Sequence, residues 1–307
     1  MGIAHYQSVK KIFYFNIQTK SNLKKYLKYA PFYLLSILPF WFIYGFASFA
    51  FFILYHLAGY RKEVINQNLK NSFPEKSEQE IKKISKNFYH HFCETFLEAV
   101  KFLTISKKAI VKRYKFKNLD LLEDLYSQKQ SAILYAAHFG NWEWMCALPL
   151  SSDYKLISFY QEQSNNYFND FMLLLRERFG NQCVESKSGF KEIIKNSRAG
   201  NITLTYVIGD QSPMSKSSMH WINFLNQDTA FLIGADRMAK KCNQLLIYPH
   251  VTKPKKGFYE IEFKLIPTED EDKSAIEHYA SFLEGNIKAQ PELWLWSHKR
   301  WKRKRNA

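Results

Sequence analysis

The chain has 307 residues, 46% of them hydrophobic and 17% aromatic, which is enough to bury a large core and too apolar for a disordered polymer. Its formal net charge of +16 points to a polyanionic partner, whether nucleic acid, anionic lipid or an acidic protein, and composition does not choose among them. Cys93, Cys146, Cys183 and Cys242 are scattered without a Cys-x-x-Cys pair, so neither a disulfide framework nor a zinc knuckle is indicated, and a reducing compartment is the easier reading.

From Met1 to Lys62 there is no acidic residue, and lysines at 10, 11, 20, 24, 25 and 28 precede an uncharged run from Tyr29 to Tyr60. At about 1.5 Å per helical residue, Phe40 to Gly59 is long enough to cross a hydrocarbon core of about 30 Å. Residues 1–60 are therefore expected to form a basic N-terminus and a membrane-anchoring hydrophobic helix, with Pro39 marking its start or a kink. The crowding of Phe, Tyr and Trp equally fits a monotopic helix or a re-entrant hairpin. Positive charge on both flanks leaves the orientation open.

Ser77 to Leu103 follows with apolar residues at Ile81, Ile84, Phe88, Phe92, Phe96, Ala99 and Leu103, a helical stripe opened by a Ser77/Glu80 capping box. His90, His91, Cys93 and Glu94 fall on this helix, but no third and fourth ligand with suitable spacing follows, so packing explains them better than a metal.

Ser131 to Ala137 is a continuous apolar run bounded by polar residues, the pattern of a buried strand. His138 stands at its carboxyl end. Asn141 is an N-cap candidate for a helix over Trp142–Leu148, which puts Glu143 in the first turn, where its carboxylate can meet the His138 imidazole across the Phe139-Gly140 bend. A carboxylate that holds a histidine's tautomer is what a general base needs. The spacing alone is weak evidence: with nine His and 28 acidic residues, about 0.8 such pairs are expected by chance. The context strengthens it, because strand ends leading into helix starts are where α/β sheets place ligands.

Beyond this point strands and helices alternate. Lys155–Tyr160 reads as a strand, Asn166–Phe179 and Lys191–Ser197 as helices, and Ile202–Ile208 as a strand. Asp228 is expected to cap a helix over Thr229–Lys241, and Gln244–Val251 and Phe258–Ile266 read as strands. The fold class is thus α/β, a mixed, largely parallel sheet covered by helices, with no boundary inside 61–307. Asp210 follows the 202–208 strand and reaches the same sheet edge as His138 if the strands are parallel.

The order His138-Phe-Gly-Asn-Trp-Glu143, Gly209-Asp210-Gln211 and Trp294-Leu-Trp-Ser-His-Lys-Arg-Trp301-Lys resembles the lipid A biosynthesis (late) acyltransferase family, related to the glycerolipid acyltransferases. Tyr60 to Leu69 with Phe73-Pro74-Glu75 resembles the segment after that family's anchor. The resemblance implies a membrane-associated O-acyltransferase, with His138 as general base oriented by Glu143. Arg176, or alternatively Arg178, is expected to serve phosphate or oxyanion charge, and Asp210, Gln211 and Asn141 to border the substrate. It further implies an acyl carrier protein thioester as donor and a phosphorylated glucosamine lipid as acceptor. No metal or redox cofactor is needed, and the catalytic domain, 61–307, would face the cytoplasm from the bacterial inner membrane. Asn226 and Asp228 depart from the family's usual small residues and put the acceptor in doubt more than the chemistry. A lysophospholipid or amino-acid lipid is the alternative acceptor. A membrane-tethered nucleic-acid-binding protein is the rival class; it leaves the ordered motifs unexplained, so no nucleic acid is expected, and the basic tail with Trp301 is read as a contact to anionic headgroups.

Overall fold

Five consecutive buried residues, Ala132–Ala136, make β2, the strand around which the sheet is laid. The computed structural model describes residues 27–213, 219–268, 270 and 272–305. The other strands of this sheet are β1 (Tyr114–Phe116), β3 (Lys155–Tyr160), β4 (Gln182–Glu185), β5 (Thr203–Ile208), β8 (Leu245–Lys255) and β9 (Phe258–Ile266), in the order β1-β9-β8-β2-β5-β3-β4. Every pairing is parallel except β8 with β9. This is the mixed, largely parallel sheet that the alternation of elements predicts, and burial on both faces explains why β2 is apolar throughout rather than alternating.

The register pairs Ala136 of β2 with Ile208 of β5, so the residues following both strands emerge side by side. On the other flank of β2, Leu134 pairs with Ile247 of β8. The chain therefore departs in two directions from β2, and its carboxyl end opens the crevice in which α/β sheets hold ligands.

Two apolar helices open the described part of the chain. The first, α1 (Ala30–Ile37), is followed by α2 (Phe40–Phe52), which Pro39 opens and which continues as a single π-helical turn, Ile53–Leu57. Together Phe40–Leu57 is long and apolar enough to cross a membrane. One face of α2, Ile43, Ala47 and Phe51 at four-residue spacing, is buried against α4 (Glu78–Lys101). Its other face is bare: Trp41 is 73% and Phe49 63% exposed. Lys101 fastens α1 by donating to the carbonyls of Ser36 and Leu38, each at 2.7 Å. The expected capping box is present, Ser77 and Glu80 bonding each other's backbone at the start of α4.

One expectation fails. Asp228 does not cap a helix: Gln227–Leu232 is strand β7, paired antiparallel with β6 (Met219–Phe224), and the helix begins only at Gly234. The two-residue turn between them holds Leu225 and Asn226 at φ of 51° and 60°. Such hairpin turns require positive φ, which Asn tolerates and which Leu adopts here because its side chain is buried and its N–H donates to Glu284 at 3.2 Å. Tertiary contacts thus override a stretch whose local pattern is helical. Two boundaries also shift: the helix expected over Trp142–Leu148 is 3₁₀ in form and runs to Leu150 through Pro149, and that expected to end at Phe179 ends at Arg176.

Candidate active site

After β2 the chain turns sharply, with the N–H of Phe139 bonded to the carbonyl of Ala137 at 2.8 Å. Gly140 has φ of +62°, and a Cβ there would come within 2.9 Å of Val251 Cγ1, so both conformation and space call for glycine. The C-terminal segment is laid along this turn like a short strand. Phe139 forms an antiparallel bridge with Trp294, Gly140 N–H donates to Leu293, and Leu295 N–H donates to the carbonyl of His138.

The parallel register brings Asp210 to His138. Its Oδ1 lies 2.7 Å from His138 Nδ1, and its Oδ2 accepts from the His138 backbone N–H at 3.0 Å and from the Trp294 indole at 2.8 Å. Asp210 is 3% exposed. Burial alone would raise its pKa, but the imidazole and these donors outweigh burial and hold it below the ordinary carboxylate value. An ionised acceptor on Nδ1 fixes the proton there and leaves Nε2 as the basic nitrogen, with the Gln211 amide 3.4 Å away.

Glu143, expected to orient His138, has another partner. Its carboxylate takes both forks of Arg176, Nε at 2.8 Å and Nη2 at 2.7 Å, and the indole of Trp142 at 3.1 Å. Glu143, with four residues between it and His138, reaches the same cleft, but the hydrogen bond to Nδ1 belongs to Asp210. Burial favours a neutral Glu143; the charge and forked bonds of Arg176 reverse this and leave its pKa lowered, with the charge of His138 adding to the effect. Arg178, the alternative to Arg176, donates to the Phe102 carbonyl and lies over the Phe179 ring, outside the cleft.

His138, Trp142, Glu143, Arg176 and Gln211 line a cleft of about 490 Å³, together with Arg61, Ser297 and His298. Phe92, Tyr160, Phe168, Met172, Leu173 and Leu295 give it an apolar wall. Asn141, expected among the substrate-binding residues, is fully buried instead. Its Oδ1 caps the Trp144 N–H at 3.2 Å and its Nδ2 donates to Glu98 at 2.8 Å, so both polar ends are occupied inside the protein. Asp210 likewise stands behind His138 rather than on the cleft wall.

His298, which the sequence offers only as part of the Trp-rich tail motif, belongs to this site. Its Nε2 accepts from the Ser212 N–H at 3.1 Å, and burial, only partly countered by Asp210, pushes its pKa down to about 4. It is a neutral ring whose Nδ1 carries the proton. Arg61 and Asn68 hold the same segment, donating to the carbonyls of Ser297, and of Trp296 and His298, at 2.8 to 3.0 Å.

The remaining charged residues divide into struts and surface. His91 reaches the Gly140 carbonyl at 3.3 Å, Glu94 is paired with Lys253 and Lys256, and His90 stacks on Phe51. In the basic tail Arg300 is buried, donating to Ala230 and lying over Phe231, whereas Lys299, Lys302 and Lys304 line a second cavity of about 410 Å³ with Trp301, Gln227 and the face of α3 (Lys62–Ser72) that carries Glu63 and Asn71.

A buried carboxylate, an imidazole with its basic nitrogen toward a cleft, an arginine on the same wall and an apolar lining together suit removal of a proton from a hydroxyl beside an apolar substrate chain. The sequence profile described as bacterial lipid A biosynthesis acyltransferase matches residues 13–303. Among curated proteins, a lipid A biosynthesis acyltransferase of Haemophilus influenzae is 21% identical over 244 residues, 78% of this chain and 76% of that protein.

Proposed function

The chain belongs to the bacterial lipid A biosynthesis acyltransferase family and is an acyltransferase, and we propose that it moves a fatty acyl chain from an acyl carrier protein thioester to a hydroxyl of a lipid A precursor. The observation that carries this reading is the 2.7 Å bond from His138 Nδ1 to buried Asp210 in a ring that borders the cleft. In the proposed step His138 Nε2 takes the proton of the acceptor hydroxyl as its oxygen attacks the thioester carbonyl. Asp210 stabilises the imidazolium that forms. The tetrahedral intermediate then collapses, the C–S bond breaks, and the carrier thiolate leaves with the proton from His138, so ester and thiol are the products.

Glu143 holds Arg176 at the cleft wall through two of its nitrogens, which keeps the guanidinium in place for a phosphate or for the developing oxyanion. The neutral Nδ1–H of His298 and the amide of Gln211 are further donors in the same cleft. The second, lysine-bearing cavity supports a phosphorylated glycolipid acceptor, and the +16 charge suits both an acidic carrier protein and an anionic membrane. The family is membrane-associated, and the exposed aromatic face of α2 supports an anchor within residues 1–60. The catalytic unit, 61–307, is placed by this reading on the cytoplasmic side of the inner membrane.

The test is acyl transfer by the full-length protein from acyl carrier protein and coenzyme A thioesters to an under-acylated lipid A precursor, a lysophospholipid and an amino-acid lipid. Transfer from the carrier protein to the lipid A precursor, abolished in His138→Ala, is expected. Transfer only to one of the other lipids moves the acceptor assignment, and full activity in His138→Ala removes the mechanism.

A further inference from the structure

Glu98, on α4, is completely buried, yet it is not a packing residue in any ordinary sense. Its Oε1 accepts from the Tyr44 hydroxyl at 2.9 Å; its Oε2 accepts from Asn141 Nδ2 and from the Tyr259 hydroxyl, both at 2.8 Å; and its backbone carbonyl accepts from the Trp144 indole at 3.0 Å. One residue thus joins the apolar helix α2, the long helix α4, strand β9 and the segment that carries the turn after His138. An apolar side chain would fill this space at less desolvation cost, so the arrangement is informative about geometry rather than about stability.

Tyr44 is the link to the membrane-facing part. It sits beside the buried stripe of α2, next to Ile43, with Trp41 and Phe42 exposed one turn earlier. The β8–β9 connection closes over it: Gly257 has φ of +69°, and a Cβ there would overlap the Tyr44 hydroxyl. Arg113 donates to the Gly257 carbonyl at 3.1 Å and lies 3.5 Å over the ring of Phe40, so the start of α2 is fixed on the catalytic domain from two sides.

We propose that Glu98 is a positioning residue for acyl transfer: through Asn141 it sets the turn that aims His138 and Glu143 into the cleft, and through Tyr44 it makes that setting depend on the seating of the apolar helix. The inference rests on His138 as the base. A group misplaced by a fraction of an ångström loses rate while binding is little altered, because substrate is held by the rest of the cleft.

The experiment uses the full chain in Tyr44→Phe, which removes one hydroxyl and keeps the ring, with Glu98→Gln and the double variant alongside. Acyl transfer is measured for kcat and KM, and melting temperature is read in parallel. Tyr44→Phe is expected to lower kcat about tenfold with KM unchanged, within the range that small misplacements produce. The double variant should be no slower than Glu98→Gln, because Tyr44 acts through Glu98. A fall in melting temperature with kcat intact, or losses that simply add, overturns the proposal. If Glu98→Gln does not fold, Tyr44→Phe alone decides. Activity surviving in His138→Ala marks failure of the mechanism itself, whereas an inactive His138→Ala beside a fully active Tyr44→Phe marks failure of this inference only.

Discussion

The protein holds His138 and His91 in polar clusters on either side of the same turn, and only His138 has the surroundings that the proposed proton transfer needs. His138 has a carboxylate on Nδ1, an 18% exposed side chain and a cleft in front of it. His91 is sealed in the core, bonded to the Gly140 carbonyl, and has the Lys253 ammonium 3.2 Å from its Nδ1. Burial and that neighbouring cation hold His91 well below its ordinary pKa, which keeps it neutral and out of reach of any acceptor. Residue type is shared; access and the sign of the nearest charge separate the proposed base from a strut.

The largest effect expected from this contrast is between His138→Ala and His91→Gln. The first should lower acyl transfer about 10³-fold, the scale of a lost general base. The second should cost about 1–3 kcal/mol of stability for a disturbed buried polar group, with activity reduced no more than about tenfold. Comparing kcat with urea midpoints for both variants checks this, and equal losses of activity would erase the distinction.

Next in size is the carboxylate. Asp210→Asn keeps the shape but offers no charge to the imidazolium, and should lower kcat about 10²-fold or more. Glu143→Gln should act differently: it frees Arg176 and costs about tenfold, mostly through a group that stabilises charge rather than moves the proton. If Glu143→Gln proves the more severe, the carboxylate that matters for His138 is the one five residues downstream.

Smaller again is the effect of Lys299→Ala, Lys302→Ala and Lys304→Ala combined. It should raise KM about tenfold for a phosphorylated acceptor and change kcat little, since each screened surface contact contributes about 1 kcal/mol or less. A dephosphorylated acceptor should show no such rise, and a rise for both acceptors would detach the second cavity from phosphate.

The mildest test is pH. His91 and His298 have folded pKa values below the ordinary 6.5, so the unfolded chain takes up protons first and their stabilisation, full above that pH, fades as pH falls below it. For His298 the loss runs down to about 4. Asp210, also lowered, keeps its contribution above its ordinary 3.8 and loses it only in stronger acid. Denaturant midpoints should therefore decline between pH 7 and 4, and His91→Gln should flatten that decline.

The sheet was legible because buried parallel strands are long apolar runs, and β2 with His138 at its end could be placed from Ser131–Ala137 alone. Asp210 at the same edge followed from parallel order. The partners were not legible. A spacing of five puts Glu143 near His138, but which carboxylate takes Nδ1 depends on a register between β2 and β5, and Arg176 arrives from a helix packed separately. The β6–β7 hairpin is hidden in the sequence because its turn relies on Leu225 at positive φ, a choice made by burial and by Glu284. Helix Ala275–Ala289 carries a Ser274/Glu277 capping box as its sequence signal, and its Tyr279 hydroxyl bonds the Ala136 carbonyl at the end of β2, a contact that no local pattern announces.

The bridge between Phe139 and Trp294 has a consequence for how the protein is made. The turn bearing His138 emerges from the ribosome long before the residues that bracket it, and Asp210 lacks its Trp294 donor until then. A nascent chain, or one cut short before Leu293, carries the histidine without its frame. On the proposed mechanism acyl transfer therefore requires Leu293–Leu295 to be laid along the turn, and a chain ended before Leu293 is expected to be inert.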